Sequence, residues 1–270
     1  MRDGSAFLSA TRNFPVRCAV RCYAVIRVEN LSKHFPDPKR GVVRAVDGVS
    51  FECEPGQVFG LLGVNGAGKT TLLRMLSTVI TPTAGSAWVA GHDVVQAPEQ
   101  VRRSIGFLST TTALYGRLTA REMIRYIGSL YGIGGQELEQ RMDEVIQLLE
   151  IAPFADRLCD KLSTGQRQRV SLARTVLHNP PVLFFDEPTA GLDVLAGQTI
   201  MKFIEGRRDA GKTVVFSTHV MSEAERLCDR IAVIHSGRIV AIGSMEDLRV
   251  RTGKTVLEEV FLALIDEVAA

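Results

Sequence analysis

No stretch of the 270 residues reaches the eighteen or more uninterrupted apolar positions that a bilayer-spanning helix needs. Any membrane role is therefore played from the surface, and a pore, if there is one, belongs to another chain. An excess of one charge is lacking too. The 32 basic and 30 acidic side chains leave a formal charge of +2 and are spread along the chain, so no basic block points to nucleic acid as the main partner. Internal repeats and low-complexity segments are absent. A disulfide framework is poorly served: the five cysteines (Cys18, Cys22, Cys53, Cys159, Cys228) are odd in number and scattered, which fits thiols kept reduced. Cys18 and Cys22 have no second Cys or His pair in register, and no bound zinc is expected.

Residues 1–24 carry Arg2, Arg12, Arg17 and Arg21 against Asp3 alone, without the apolar core of a secretory signal. Disorder is expected there. No other Met occurs before Met75, so a start codon placed upstream of a non-Met initiator is a further expectation, which N-terminal sequencing checks.

With 46% apolar and 23% charged residues, the chain can bury a full core as one large domain or a domain with a subdomain. The segment AVIRVENLSKHF alternates as a strand does. VSFECEPGQVFGLLG adds a strand, a Pro55-Gly56 turn and a buried apolar strand. KTTLLRMLSTVI places Leu72, Leu73, Leu76 and Ile80 on one helical stripe, with the Thr81-Pro82 step expected to end it. SAWVAGHDV returns to strand. Between about Ser109 and Leu177 the pattern is mainly helical, with Leu138, Met142, Val145 and Leu149 at three-four spacing after the breaks at Gly132, Gly134 and Gly135. PPVLFFDEP, TVVFSTH and IAVIHSGRIVAIG are strand-bearing segments separated by helices, and strands alternating with helices imply a parallel sheet covered on both faces. The expected domains are 25–244 for the main body, with a helical subdomain at about 109–177, and 245–270 for an amphipathic C-terminal tail.

GVNGAGKT, Gly63 to Thr70, matches the G-x-x-x-x-G-K-[ST] phosphate-loop pattern between a predicted strand and a predicted helix. Gly63, Gly66 and Gly68 let backbone N–H groups turn around phosphate oxygens, and the helix start adds more N–H groups and a positive dipole end. Asn65, Ala67 and Thr71 belong to the same expected binding surface. Lys69 supplies a point charge for the β and γ phosphates and a catalytic cation, and the Thr70 hydroxyl suits Mg²⁺. In VLFFDE the apolar strand ends on Asp186, which would hold Mg²⁺ through water, and Glu187 next to it would act as general base on the attacking water. ATP and Mg²⁺ are the cofactors this pair of elements calls for.

LSTGQRQRVSLAR, Leu162 to Arg174, lies just before that strand and closely resembles the signature sequence of ABC ATPases. AGLD (Ala190 to Asp193) is similar to the family's D-loop, and STH (Ser217 to His219) to its switch histidine, in the family's order. The resemblance covers nearly everything from Val25 onward. It implies an α/β fold, a P-loop NTPase (RecA-like) parallel-sheet core carrying an antiparallel β subdomain and a helical signature subdomain. It also implies head-to-tail pairing with a second copy or a paralogous ATPase subunit, so that Ser163 and Gly165 of one chain meet the γ phosphate held by the other. By the same resemblance His219 contacts the γ phosphate and Asp193 links the two sites. Phe35 reads equally as an adenine-stacking ring or as a core aromatic at a strand end.

One position departs from the family. After IGFL, where a glutamine is usual, the chain reads STTTALYGRLTARE, and Thr110 takes the expected place as a candidate for metal-bound water or as a solvated loop residue. That departure, LYGRLTARE and the closing LEEVFLAL resemble the exporter branch, with sodium-extruding and drug-resistance subunits nearest. The expected protein is thus the ATP-hydrolysing subunit of a transporter, at the cytoplasmic face of the membrane, docked on a separate transmembrane permease subunit. Two rivals stand beside it. One is a soluble ABC ATPase acting on DNA or ribosomes, against which the lack of a long coiled coil counts. The other is a regulatory nucleotide-binding module without turnover, against which Glu187 and His219 count.

Overall fold

Alternation of side chains along three central strands decides how the molecule is layered. In the computed structural model, which describes residues 25–39, 41–109 and 113–269, the strands β3 (Val58–Leu62), β7 (Val182–Asp186) and β8 (Thr213–Thr218) are buried along their whole length. Leu183, Phe185, Val214 and Phe216 point into one apolar cluster, and Val182, Phe184 and Val215 into another. A strand buried on both faces needs a layer on each side.

The main sheet has six strands in the order β10-β9-β3-β8-β7-β6, adding β6 (Ile105–Leu108), β9 (Arg230–His235) and β10 (Arg238–Gly243). All neighbours run parallel except the β9–β10 hairpin. On one face lie the helices α3 (Ala120–Leu130), α4 (Gly135–Leu148), α5 (Thr164–Val176) and α6 (Val194–Asp209), sharing a cluster that includes Ile124, Met142, Val170 and Ile204. On the other face α1 (Lys69–Leu76) is sandwiched by a four-stranded antiparallel sheet, order β2-β1-β4-β5, built from β1 (Ile26–Asp37), β2 (Gly41–Cys53), β4 (Ala84–Val89) and β5 (His92–Asp93). The Phe51 and Phe59 rings stack at 4.9 Å to join the two sheets. A parallel-sheet α/β core with an antiparallel β portion and a helical portion is the fold class expected from the sequence.

Local differences have local causes. Helix α1 stops at Leu76 rather than running to Ile80. Thr78 adopts a left-handed backbone with φ 62, Thr78 N donates to Met75 O, and Val79 N donates to Arg74 O at 2.8 Å. That is a Schellman closure with Thr in the place usually held by Gly, and Arg102 Nη1, from the short helix α2 (Pro98–Ser104), holds the Thr78 hydroxyl at 3.0 Å. SAWVAGHDV breaks into β4 and β5 at Ala90-Gly91, whose positive φ values of 51 and 80 suit a tight hairpin.

Beyond β10, the helices α8 (Met245–Thr252) and α9 (Leu257–Ala269) follow. Leu257, Val260, Phe261 and Leu264 of α9 share a buried cluster with Leu62, Ala224, Ile231 and Val233, so this segment covers the β9 side of the sheet and α7 (Met221–Leu227). Cys53, Cys159 and Cys228 are free thiols. Residues 1–24, with Cys18, Cys22 and the zinc and start-codon questions, lie outside the described residues.

Candidate active site

Three strand ends converge at one edge of the main sheet, where loops of open parallel sheets gather ligands. From β3 the chain enters the phosphate loop, from β7 it leaves through Asp186 and Glu187, and from β8 it leaves through Ser217, Thr218 and His219. The order matters: β8 lies between β3 and β7, so the carboxylate strand is not the immediate neighbour of the phosphate-loop strand.

Two of the loop's glycines, Gly63 and Gly68, are required by close approach, and Gly66 by its positive φ of 82. A Cβ at Gly63 would stand 2.5 Å from the Ile234 carbonyl oxygen, and one at Gly68, where φ is 108, would stand 2.4 Å from Ala45 O. Gly68 is the N-cap of α1 and carries no side chain to occupy the helix start, which leaves that end to an anion. Asn65, Gly66, Ala67, Gly68, Lys69, Thr70 and Thr71 line a cavity of about 280 Å³ together with Ala45 and Glu187.

Lys69 is buried, and its ammonium donates to Gly63 O at 2.6 Å and Val64 O at 3.2 Å. It also stands 3.3 Å from Glu187 Oε1. On the other side of that carboxylate, His219 Nδ1 lies 3.3 Å from Glu187 Oε2. Glu187 therefore sits between two groups that can carry positive charge, in a backbone turn with φ 48 that non-glycine residues seldom adopt. The His219 loop is held in turn: the Thr218 hydroxyl donates to Glu223 Oε2 at 2.8 Å and accepts from Val220 N at 2.9 Å.

The residues suited to a divalent cation are Thr70 and Asp186. Thr70 Oγ1 donates to Asp186 Oδ1 at 3.0 Å, while the buried Asp186 Oδ2 has no hydrogen-bond partner. A hydroxyl, a carboxylate and an orphaned carboxylate oxygen are the hard oxygen donors that Mg²⁺ takes, so the residues present fit that ion. Thr110 lies outside the described residues.

The remaining sequence candidates stand apart from the cavity. Ser163 caps α5 in a reciprocal capping box with Gln166 and is exposed. A Cβ at Gly165 would approach Ala196 Cβ to 3.1 Å, so the start of α5 lies against the start of α6, which Asp193 caps by accepting from Ala196 N at 2.9 Å. Phe35, opposite Val43 on β2, is 40% exposed with Lys33 Nζ over its ring, so it is not a core aromatic. None of Ser163, Gly165, Asp193 and Phe35 lines the cavity around Lys69.

Three contributors escape sequence reasoning. Ala45 comes from the second sheet and has no sequence signal. Gln168 Nε2 donates to Pro188 O at 2.6 Å, tying α5 to the turn after Glu187. Ser217 lies in register with Asp186 and donates to its Oδ1 at 2.7 Å; it stands within the STH segment, where only the histidine carries a recognised role.

Comparison with known proteins agrees with this fold. Residues 46–190 match the family model described as ABC transporter. The chain is 40% identical over 225 residues to the ABC transporter ATP-binding protein NatA of Bacillus subtilis (strain 168), a match covering 83% of this chain and 91% of that protein. It is 37% identical over 228 residues to the daunorubicin resistance ATP-binding protein DrrA3 of Streptomyces coeruleorubidus, covering 84% of this chain and 71% of that one. Among solved structures, the dimeric post-hydrolysis state of the ATP-binding cassette MJ0796 bound to ADP and Pi superposes with a TM-score of 0.74 at 27% identity, covering 81% of this chain and 98% of that one.

Proposed function

The chain belongs to the ABC transporter family as an ATP-binding, ATP-hydrolysing subunit, and from that premise we propose that it powers export through a separate transmembrane permease while paired with a second ATPase subunit. None of the helices among the described residues is long and apolar enough to cross a membrane, which agrees with a separate partner carrying the pore. The relatives favour transport over an ATPase acting on DNA or ribosomes. For cargo, the resemblance of LYGRLTARE and LEEVFLAL to sodium-extruding subunits suggests sodium ions, and the daunorubicin-resistance relative suggests a drug. Its station in this reading is the cytoplasmic face of the membrane.

The observation that carries the hydrolytic reading is the placement of Glu187 3.3 Å from both Lys69 and His219, over a cavity walled by the phosphate loop. In the mechanism, the loop N–H groups and Lys69 hold the β and γ phosphates of ATP. Thr70 and Asp186 would hold Mg²⁺, which when bound neutralises phosphate charge. Glu187 accepts a proton from the attacking water, and His219 orients Glu187 and contacts the γ phosphate. Phe35 stacks on the adenine.

Ser163 is exposed and neither it nor Gly165 lines this chain's own cavity, which supports their serving the γ phosphate bound by the paired subunit, with Asp193 between the two sites. The dimeric relative with ADP and Pi supports the same pairing. The test is light scattering of Glu187→Gln with ATP: a dimer that forms with ATP and disperses when Ser163→Arg is added supports both halves of the composite site. ATP binding without a dimer would remove the pairing and leave the phosphate site.

A further inference from the structure

Between the phosphate-loop strand and the carboxylate strand stands β8, and its residue Ser217 is fully buried there. A serine hydroxyl has one proton to give and lone pairs to accept. Here the proton goes to Asp186 Oδ1 at 2.7 Å, and the oxygen accepts Glu187 N–H at 3.1 Å. The Ser217 carbonyl oxygen also accepts from Glu187 N, at 3.1 Å. Ser217 thus touches both acidic residues, meeting the side chain of Asp186 and the main chain of Glu187.

We propose that Ser217 is a positioning residue for hydrolysis, holding Asp186 so that Oδ2 is presented to the metal's coordination shell and holding Glu187 in its left-handed turn. This rests on the roles given to Asp186 and Glu187 above.

The physical argument is about rotation and strain. An Asp χ2 torsion is broad and roughly two-fold, so a carboxylate with one donor can turn away from its task. Asp186 Oδ1 has two donors, Thr70 and Ser217, arriving from α1 and β8, and the second oxygen stays without a protein partner. Groups that orient metal-binding carboxylates commonly matter about 10- to 100-fold in affinity or turnover. For Glu187, a φ of 48 persists where surrounding contacts over-determine it, and Ser217 supplies two acceptors to its N–H.

The experiment compares the full chain with Ser217→Ala, Ser217→Thr and Asp186→Asn. Mn²⁺ binding in the presence of a non-hydrolysable ATP analogue is followed by electron paramagnetic resonance, beside steady-state ATPase kinetics and a thermal melt. Ser217→Ala is expected to weaken Mn²⁺ binding about 10-fold and to lower kcat by a similar factor, with KM for ATP within about two-fold. Ser217→Thr, which keeps the hydroxyl, is expected to recover most of both. Wild-type Mn²⁺ binding and kcat in Ser217→Ala, with Mn²⁺ lost in Asp186→Asn, would overturn the role of Ser217 and leave the metal site standing. Unchanged Mn²⁺ binding in Asp186→Asn would remove the metal site and this proposal with it. Equal losses in Ala and Thr, matched by equal falls in melting temperature, would assign the effect to packing and also overturn it.

Discussion

Lys69 Nζ stands 3.3 Å from Glu187 Oε1, so the cation suited to phosphate and the carboxylate suited to water share one cavity wall although they are far apart in sequence. The pair is formed by the first residue of α1 and the residue just past β7. It ties the binding of phosphate to the placement of the base.

Replacing that carboxylate separates binding from chemistry. Glu187→Gln keeps the shape and loses the proton acceptor, and ATPase turnover is expected to fall about 10²- to 10⁴-fold while ATP affinity changes little. Single-turnover hydrolysis alongside nucleotide binding measures both; a variant as active as the parent would remove Glu187 as the base.

Lys69→Met should act on the other side of the pair. A charge-assisted hydrogen bond is worth about 1.5–3 kcal/mol, so ATP affinity is expected to drop about 10- to 100-fold, read by titration of a fluorescent ATP analogue. Glu187 then keeps only the His219 contact among the ion pairs described.

A half-buried histidine, His178, should make stability depend on pH. Burial holds the His178 pKa below its usual value, and Arg141 and Lys212 push it the same way. Its Nε2 donates to Ile105 O at 2.9 Å, its ring stacks on Tyr131 at 3.9 Å, and Nδ1 is buried without a partner. The unfolded chain therefore binds the extra proton first. Stability from this group is present above about pH 6.5 and falls as pH drops through that value toward the lowered folded pKa. His178→Phe keeps a ring against Tyr131 and should flatten this part of a urea-denaturation pH series. An unchanged slope between pH 7 and pH 5 would show that His178 does not titrate differently in the folded state.

The C-terminal helix offers a paired test of packing. Phe261 is buried among Leu62, Ile231 and Val233, and Phe261→Ala is expected to cost about 3–5 kcal/mol. Leu262, its neighbour, is 60% exposed, and Leu262→Ala should stay within about 0.5 kcal/mol. Similar midpoints for the two variants in denaturant would mean that α9 is not part of the core.

The shape of the proposed phosphate loop was legible because it is local. Gly63, Gly66, Gly68, Lys69 and Thr70 lie within one strand-turn-helix, and the backbone that needs those glycines is written in the same eight residues. Asp186 and Glu187 were legible for a similar reason, since an apolar run ending in two acids marks a strand end at a site. The end of α1 was not: Thr78 takes the left-handed position that glycine usually advertises, and Arg102 from another helix holds its hydroxyl. Nor was Ser217, because a serine in a buried strand has no signal until its register with Asp186 is known.

By itself, then, the sequence determined the chemistry available to this protein: a phosphate cradle, two acids, a histidine and a capped signature helix, each set by residues close together in the chain. Only the tertiary structure decided their arrangement. Strand order depends on contacts between segments more than a hundred residues apart, and it placed β8 between the phosphate loop and the carboxylates. It also set Glu187 between Lys69 and His219, and left Ser163 and Gly165 outside the cavity around this chain's own Lys69. The physical reason is that backbone conformation responds to near neighbours, whereas register and the meeting of strand ends follow from how apolar faces are buried together.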